Sequence, residues 1–211
     1  IKNYNGSKIE FINLTNRTLY NSEIQNNNLV LFIPASNQDQ QILLVTETEE
    51  TDVSPIEFRN FAEMDYDFII LTSKRLNNNA EGPNPIEAYA SYKQSFEGGN
   101  YNPIIIDVED LYDQFSFGIP RHSLAIRHFN HFVHSKWSAP KFIFIIGKSR
   151  EYNRIRKGFQ LEEEGNESFF VPTFGVPGGD NLLVSQVDFP TLLMPIGRIA
   201  ARNKNDAFNY L

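Results

Sequence analysis

The order of apolar and polar positions divides the chain into two grammars. Over residues 1–64, short clusters rich in β-branched and aromatic residues, at 8–14, 29–33 and 41–46, are separated by polar punctuation such as Asn26-Asn27-Asn28. That is the signature of short strands joined by turns, and no helical period runs through it, so a small antiparallel β region is expected. From Asp65 onward, apolar runs of strand length alternate with amphipathic segments of helix length. This alternation predicts an α/β fold with a parallel sheet and crossover helices.

The second region can be read element by element. Residues 67–72 form the first strand. Asn84 caps a helix with Pro85 at its first position and Glu87 three residues beyond the cap, and Gly98-Gly99 supplies a left-handed exit. Ile86, Tyr89, Tyr92 and Phe96 recur at three- and four-residue spacing and predict one packed face. Residues 103–108 form the second strand. Pro120 opens a second helix whose stripe is Ala125, Ile126, Phe129, Phe132 and Val133, and residues 141–147 form the third strand. Phe68, Ile70, Ile105, Ile126, Phe129, Phe144 and Ile146 are expected in the core. A looser stretch containing Glu162-Glu163-Glu164 leads to a strand at 194–200. Asn203, with Asp206 three residues on, opens a further helix, but only about eight residues follow it, close to the limit for an isolated helix. The sequence therefore reads as a domain that stops inside an element, with Ile196, Ile199, Phe208 and Leu211 left partly uncovered.

Composition narrows the function. Hydrophobic residues make up 41% and include 18 Phe, enough apolar area for a packed core. The net charge of -7, with no Lys/Arg run longer than two residues, lacks the footprint of a nucleic-acid binder. Purely apolar runs such as 142–146 are far short of the roughly 20 residues that span a bilayer. There is no Cys, which excludes disulfides, thiolate metal sites and a thiol nucleophile within these 211 residues.

Four clusters invite a chemical reading. His122, His128, His131 and His134 suggest zinc, but at about 100° per residue the last three fan over roughly 120° of helix surface and do not converge. A polar helix face is the commoner role. Gly147-Lys148-Ser149 resembles the end of a phosphate-binding loop, but Phe142 stands where the loop needs its first Gly. Asp107, Glu109, Asp110 and Asp113 gather after the second strand, where α/β sheets place their sites. They are the group that would suit a structural Ca²⁺ or Mg²⁺, although solvated charge and helix capping are the more frequent uses of such residues. Gly178-Gly179-Asp180 is a weaker ligand loop. Asn-x-Ser/Thr triplets such as those at Asn13, Asn16 and Asn166 carry no weight in so Asn-rich a chain. No catalytic, cofactor-binding or metal residue is assigned.

One stretch is more specific: Glu109-Asp110-Leu111-Tyr112-Asp113-Gln114-Phe115-Ser116-Phe117-Gly118-Ile119-Pro120, followed by Ala125-Ile126-Arg127-His128-Phe129. It resembles the gingipain-family segment with acidic-hydrophobic-Tyr-Asp-x-Phe-Ser-x-Gly and then Ala-Ile-Arg-x-Phe. Residues 67–72 resemble that family's first strand, and residues 141–147 its strand ending in Gly-Asp, with Lys148 here in place of the Asp. Pro195-Ile196-Gly197-Arg198-Ile199 resembles its Ile-Gly-Arg strand. The likeness covers roughly 65–211.

The resemblance implies a caspase-like cysteine peptidase whose Gly-His-Gly base and later Cys both follow the Ile-Gly-Arg strand, and neither is present here. It is similar in flavour to the sortase-like members of type IX secretion in Bacteroidetes, which carry a β-rich region ahead of the peptidase domain. It implies a secreted, periplasmic or outer-membrane setting, with the remainder of the peptidase domain and a peptide substrate as partners. Scaffold roles are expected for Asp113, Phe115, Gly118 and Arg127. The other readings are a non-catalytic interaction module on a degenerate peptidase fold, and an unrelated doubly wound domain holding a cation in its acidic crevice.

Overall fold

A computed structural model describes residues 2, 9–45, 55–61, 66–77, 82–138, 140–150, 169–186, 188 and 191–211. The run 162–164, Asn166 and the expected boundary at 64 and 65 lie outside the described residues. Contacts divide the chain into two compact units, Ile1–Pro55 and Ile56–Leu211.

The first unit is antiparallel. Strand β1 (Glu10–Asn13) lies between β2 (Thr18–Asn21) and β5 (Ile42–Val45), while β3 (Glu23–Gln25) and β4 (Asn28–Val30) form a separate hairpin. The hairpin turns at Asn26 and Asn27, both at positive φ, a conformation asparagine tolerates better than most residues. Ile9, Phe11 and Leu29 form a small core. Asn13 is buried because its side chain braces the next turn: Oδ1 accepts from Thr15 N and Asn16 N, and Nδ2 donates to Gln40 Oε1.

The second unit carries a parallel four-stranded sheet of order β7-β6-β8-β9, from β6 (Phe68–Thr72), β7 (Pro103–Asp107), β8 (Phe142–Ile146) and β9 (Ile196–Ile199). All five residues of β6 are buried, as expected of a strand with neighbours on both edges and side chains packed on both faces. Asp67 gathers the strand entries: its Oδ1 accepts from Asn102 N, its carbonyl from Lys141 N, and its Oδ2 pairs with Lys141 Nζ. Helix α1 (Pro85–Gln94), capped by Asn84 Oδ1 on Ile86 N, joins β6 to β7. Helices α2 (Val108–Phe115) and α3 (Ser123–Lys136) join β7 to β8, and α4 (Lys204–Tyr210) follows β9, capped by Asn203 Oδ1 on Asp206 N.

Several sequence expectations need correction. Helix α2 falls where a loop was expected; Asp107 caps it and Leu111 and Tyr112 are buried, so the acidic run is the first turn of a helix. The next helix starts at Ser123, after a His122 cap, and not at Pro120. Ile105 and Phe144 are only partly buried. They share the sheet face of Phe68, against which α1 lays Tyr89, and a ten-residue helix does not cover that face to its edges. Tyr92 and Phe96 are 50% and 82% exposed, because α1 ends at Gln94 and Phe96 lies in the turn beyond it. On the opposite face Ile69, Leu71, Ile104, Ile106, Ile143 and Ile145 are all buried.

Lys93 of α1 holds its ammonium over four rings, those of Phe68, Tyr89, Tyr92 and Tyr101, at 5.3–5.7 Å. Such contacts anchor the helix to the sheet by cation–π attraction. Among the described residues β9 is paired on one side only; Ile196, Ile199 and Leu211 are half-buried and Phe208 is 64% exposed.

Gly147, at the end of β8, has φ +143, and a Cβ there would stand 2.9 Å from Phe170 Cβ. Its missing side chain lets the 169–171 segment return against the strand. Gly147→Ala is expected to destabilise the unit by about 2–4 kcal/mol, strain and displacement together, as read by urea unfolding.

Candidate functional site

The carboxyl ends of β6, β7 and β8 are where an open parallel sheet collects loops. After β6, Lys74 and Arg75 begin a 3₁₀ turn (Lys74–Asn77). After β7, Asp107 and Glu109 meet them: Lys74 Nζ lies 3.4 Å from Asp107 Oδ2 and Arg75 Nε 3.6 Å from Glu109 Oε1. Asp107 also accepts from Glu109 N as the α2 cap. Asp110 faces Arg59 at 3.5 Å, and Asp113 lines a 220 Å³ hollow with Glu57, Phe58, Arg59 and Asp110. Three of the four carboxylates expected to form one cluster are thus engaged by separate cations.

Burial raises the carboxyl pKa of Glu109 above its ordinary value, against the pull of Arg75. The buried Tyr112 phenol is pushed up chiefly by burial and secondarily by Glu109. Arg121 is lowered by burial and then by its neighbour Arg75.

After β8, Arg198 of β9 binds the ends of three segments together. Its Nε and Nη2 donate to the Asp180 carboxylate at 2.7 and 2.8 Å, Nη1 to Gly147 O and Val171 O at 2.8 and 2.9 Å, and Nη2 to Pro172 O at 3.1 Å. All five guanidinium donors are used, the most a guanidinium can give. Asp180, read from sequence as a weak ligand position, opens a 3₁₀ turn (Asp180–Leu183) and serves as this partner.

The motif residues act in packing. Phe115 meets the rings of Phe61, Phe129 and Phe132, and Gly118, at φ +75, donates its N–H to Tyr112 O. Arg127 donates to Gln186 O and stacks over Phe174. The histidines do different work: His122 caps α3, His128 Nδ1 contacts Phe115 O, His134 is exposed, and His131 departs from the expected polar face by packing its Nε2 3.1 Å from Ser185 O. Burial lowers the His131 pKa, against the raising effect of that hydrogen bond. Lys148 uses its backbone: N–H donates to Ala201 O and C=O accepts from Phe170 N.

A family model described as Peptidase family C25 matches residues 61–211, the span that carries the parallel sheet and the four helices found among the described residues. The chain belongs to peptidase family C25. No curated protein and no solved structure gives a significant match. Membership places this unit among gingipain-type cysteine peptidases and fits the helix-flanked parallel sheet. The Ile196-Gly197-Arg198 strand acquires a physical meaning here, because its Arg is the five-donor clamp and a Cβ on its Gly would stand 3.4 Å from the Phe144 ring. Sequence reading found that strand but missed the roles of Arg198, Arg75 and Tyr112. An Arg on a strand next to a Gly, with a lone Asp after a Gly-Gly turn, was the available signal. Among the described residues no helix is long and apolar enough to cross a membrane.

Proposed function

We propose that the chain is the opening part of a gingipain-like cysteine endopeptidase domain, and that residues beyond these 211 supply the thiolate and imidazole. The observation that carries this reading is a C25 match over 61–211 in a sequence with no Cys. A thiolate must attack the scissile carbonyl in this chemistry. Its own share is then the scaffold: a sheet whose β9 edge and neighbouring Phe208 and Leu211 are covered by the remainder of the domain. Asp113, Phe115, Gly118 and Arg127 shape that scaffold. The β-rich unit ahead of the sheet favours a sortase-like role in type IX secretion, with protein or peptide substrates and a location outside the cytoplasm.

The purified 211-residue chain is expected to cleave no Lys- or Arg-containing reporter peptide in a manner sensitive to a thiol alkylator. Alkylator-sensitive cleavage that co-purifies with the chain through orthogonal separations would overturn the assignment. Reading the coding sequence past Leu211 tests the rest, since a Gly-His-Gly segment and a later Cys are expected. Their loss from the coding sequence would make the domain a non-catalytic interaction module.

A further inference from the structure

Beyond the peptidase reading, and independently of it, the β7 edge of the sheet carries a hollow whose charge is not balanced. The 55–61 segment passes this edge, where Arg59 Nη1 donates to Ile105 O of β7 at 3.3 Å and lies 3.5 Å from Asp110 Oδ2. Between the segment and α2 is the hollow of about 220 Å³, lined by Glu57, Phe58, Arg59, Asp110 and Asp113. Three carboxylates meet one guanidinium there, so two negative charges are left over. Arg59 is already engaged by Asp110 and the Ile105 carbonyl, whereas among the described residues the carboxylates of Glu57 and Asp113 have no partner. Asp113 keeps its place in the helix, but its charge is unmet. Like charges gathered around a concave space focus a negative potential in it and draw in a cation.

The lining says which kind of cation. A hard metal ion asks for six or more oxygens and would share the hollow with the Arg59 guanidinium and the Phe58 ring. A basic side chain suits it better, since its apolar stem can lie on the ring while its charged tip reaches the carboxylates.

The surroundings are apolar. Ile56 and Phe58 are 59% and 64% exposed. At the C-terminal end of α2, four residues after Asp113, Phe117 is 96% exposed. Its backbone is held at φ +57, a state uncommon for a bulky residue, by bonds from Ser116 N and Gly118 N to Tyr112 O on either side of it. A fixed turn thus carries an aromatic ring into solvent, and exposed aromatic anchors are what protein interfaces are rich in.

We propose that this face docks a polypeptide segment through a Lys or Arg side chain that enters the hollow, with the apolar neighbours of that residue covering Ile56, Phe58 and Phe117. Charge complementarity selects the basic residue, and the apolar surroundings select a polypeptide, because a free amine would satisfy the carboxylates and leave the rings in water.

The test is a titration of the full chain followed by the backbone amide NMR resonances of Glu57, Phe58 and Asp113. The probe is a capped Leu-Lys-Phe tripeptide, compared with the same peptide acetylated on its lysine, with n-butylamine and with calcium chloride. A saturable shift is expected with the lysine peptide, and acetylation, which removes only the charge, is expected to weaken it about tenfold or more. Glu57→Gln combined with Asp113→Asn is expected to weaken binding about tenfold, the worth of two partly screened ion pairs together. Phe58→Ala is expected to weaken it about threefold, as for loss of an exposed cation–π contact. The proposal is overturned by no saturable shift with the lysine peptide, by equal affinity for the acetylated one, or by unchanged affinity in the double variant. Butylamine binding as tightly as the peptide, or calcium moving the same amides at lower concentration, overturns the assignment to a polypeptide.

Discussion

Arg198→Met is expected to destabilise the α/β unit by about 3–5 kcal/mol, the range for breaking a buried ion pair from one side. The side chains of Arg198 and Asp180 are only 11% and 23% exposed, so solvent screens the pair weakly. Methionine keeps much of the volume, which isolates the electrostatic loss from a cavity. What remains is a carboxylate and the carbonyls of Gly147, Val171 and Pro172, all deprived of their donor at once. Arg198→Lys is expected to recover little, because one ammonium cannot span a carboxylate and three carbonyls that a planar fork reaches together. Urea unfolding followed by circular dichroism measures both. A loss under about 1 kcal/mol, the worth of a single ordinary hydrogen bond, would show that the clamp is incidental. A double-mutant cycle with Asp180→Asn then separates the ion pair from the carbonyl contacts.

Phe129→Ala is expected to cost about 3–5 kcal/mol. Phe129 is fully buried, and its ring meets Phe61, Phe115 and Trp137 with centroids 5.2–6.1 Å apart, three of them in edge-on or near edge-on contact. Removing it opens a cavity where Phe61, α2 and α3 come together, so none of these can collapse into the space without losing its own partners. Phe132→Ala is the internal comparison. Phe132 is half-buried and touches Phe115 from the rim, so its loss is expected to be clearly smaller. Equal losses for the two would mean that the cluster relaxes as a whole.

The parts of the fold legible in sequence were those governed by local rules. All four strands of the parallel sheet follow from apolar runs, and Asn84 and Asn203 were read as caps because their side chains can reach an N–H two or three residues on. Helix α2 escaped because its eight residues include three acids and follow a strand without a break, leaving too little periodicity to separate it from a charged loop. Tyr92 and Phe96 kept the right spacing for a packed face, but spacing cannot tell where a helix ends or how much of a sheet it covers. His131 likewise gave no sign of Ser185, 54 residues away. The site was less legible than the fold for the same reason: Arg75, Tyr112, Arg121 and Phe169 meet only through the sheet, and Arg198 finds Asp180 and the three carbonyls only after β8 and β9 have paired.

The central place of β6 bears on how the chain can acquire its structure during synthesis. The strand is made first, yet one of its neighbours is 35 residues away, Phe68 opposite Pro103, and the other 74, Phe68 opposite Phe142. Such distant pairings are slow to form because loop closure must precede the contacts that reward it. While residues 73–141 emerge from the ribosome, five consecutive apolar or β-branched residues and at least one full strand edge have no native partner. That interval is when the chain is most open to association with other molecules, so the sequence is one whose yield should respond to translation rate and to chaperones that shield nascent strands.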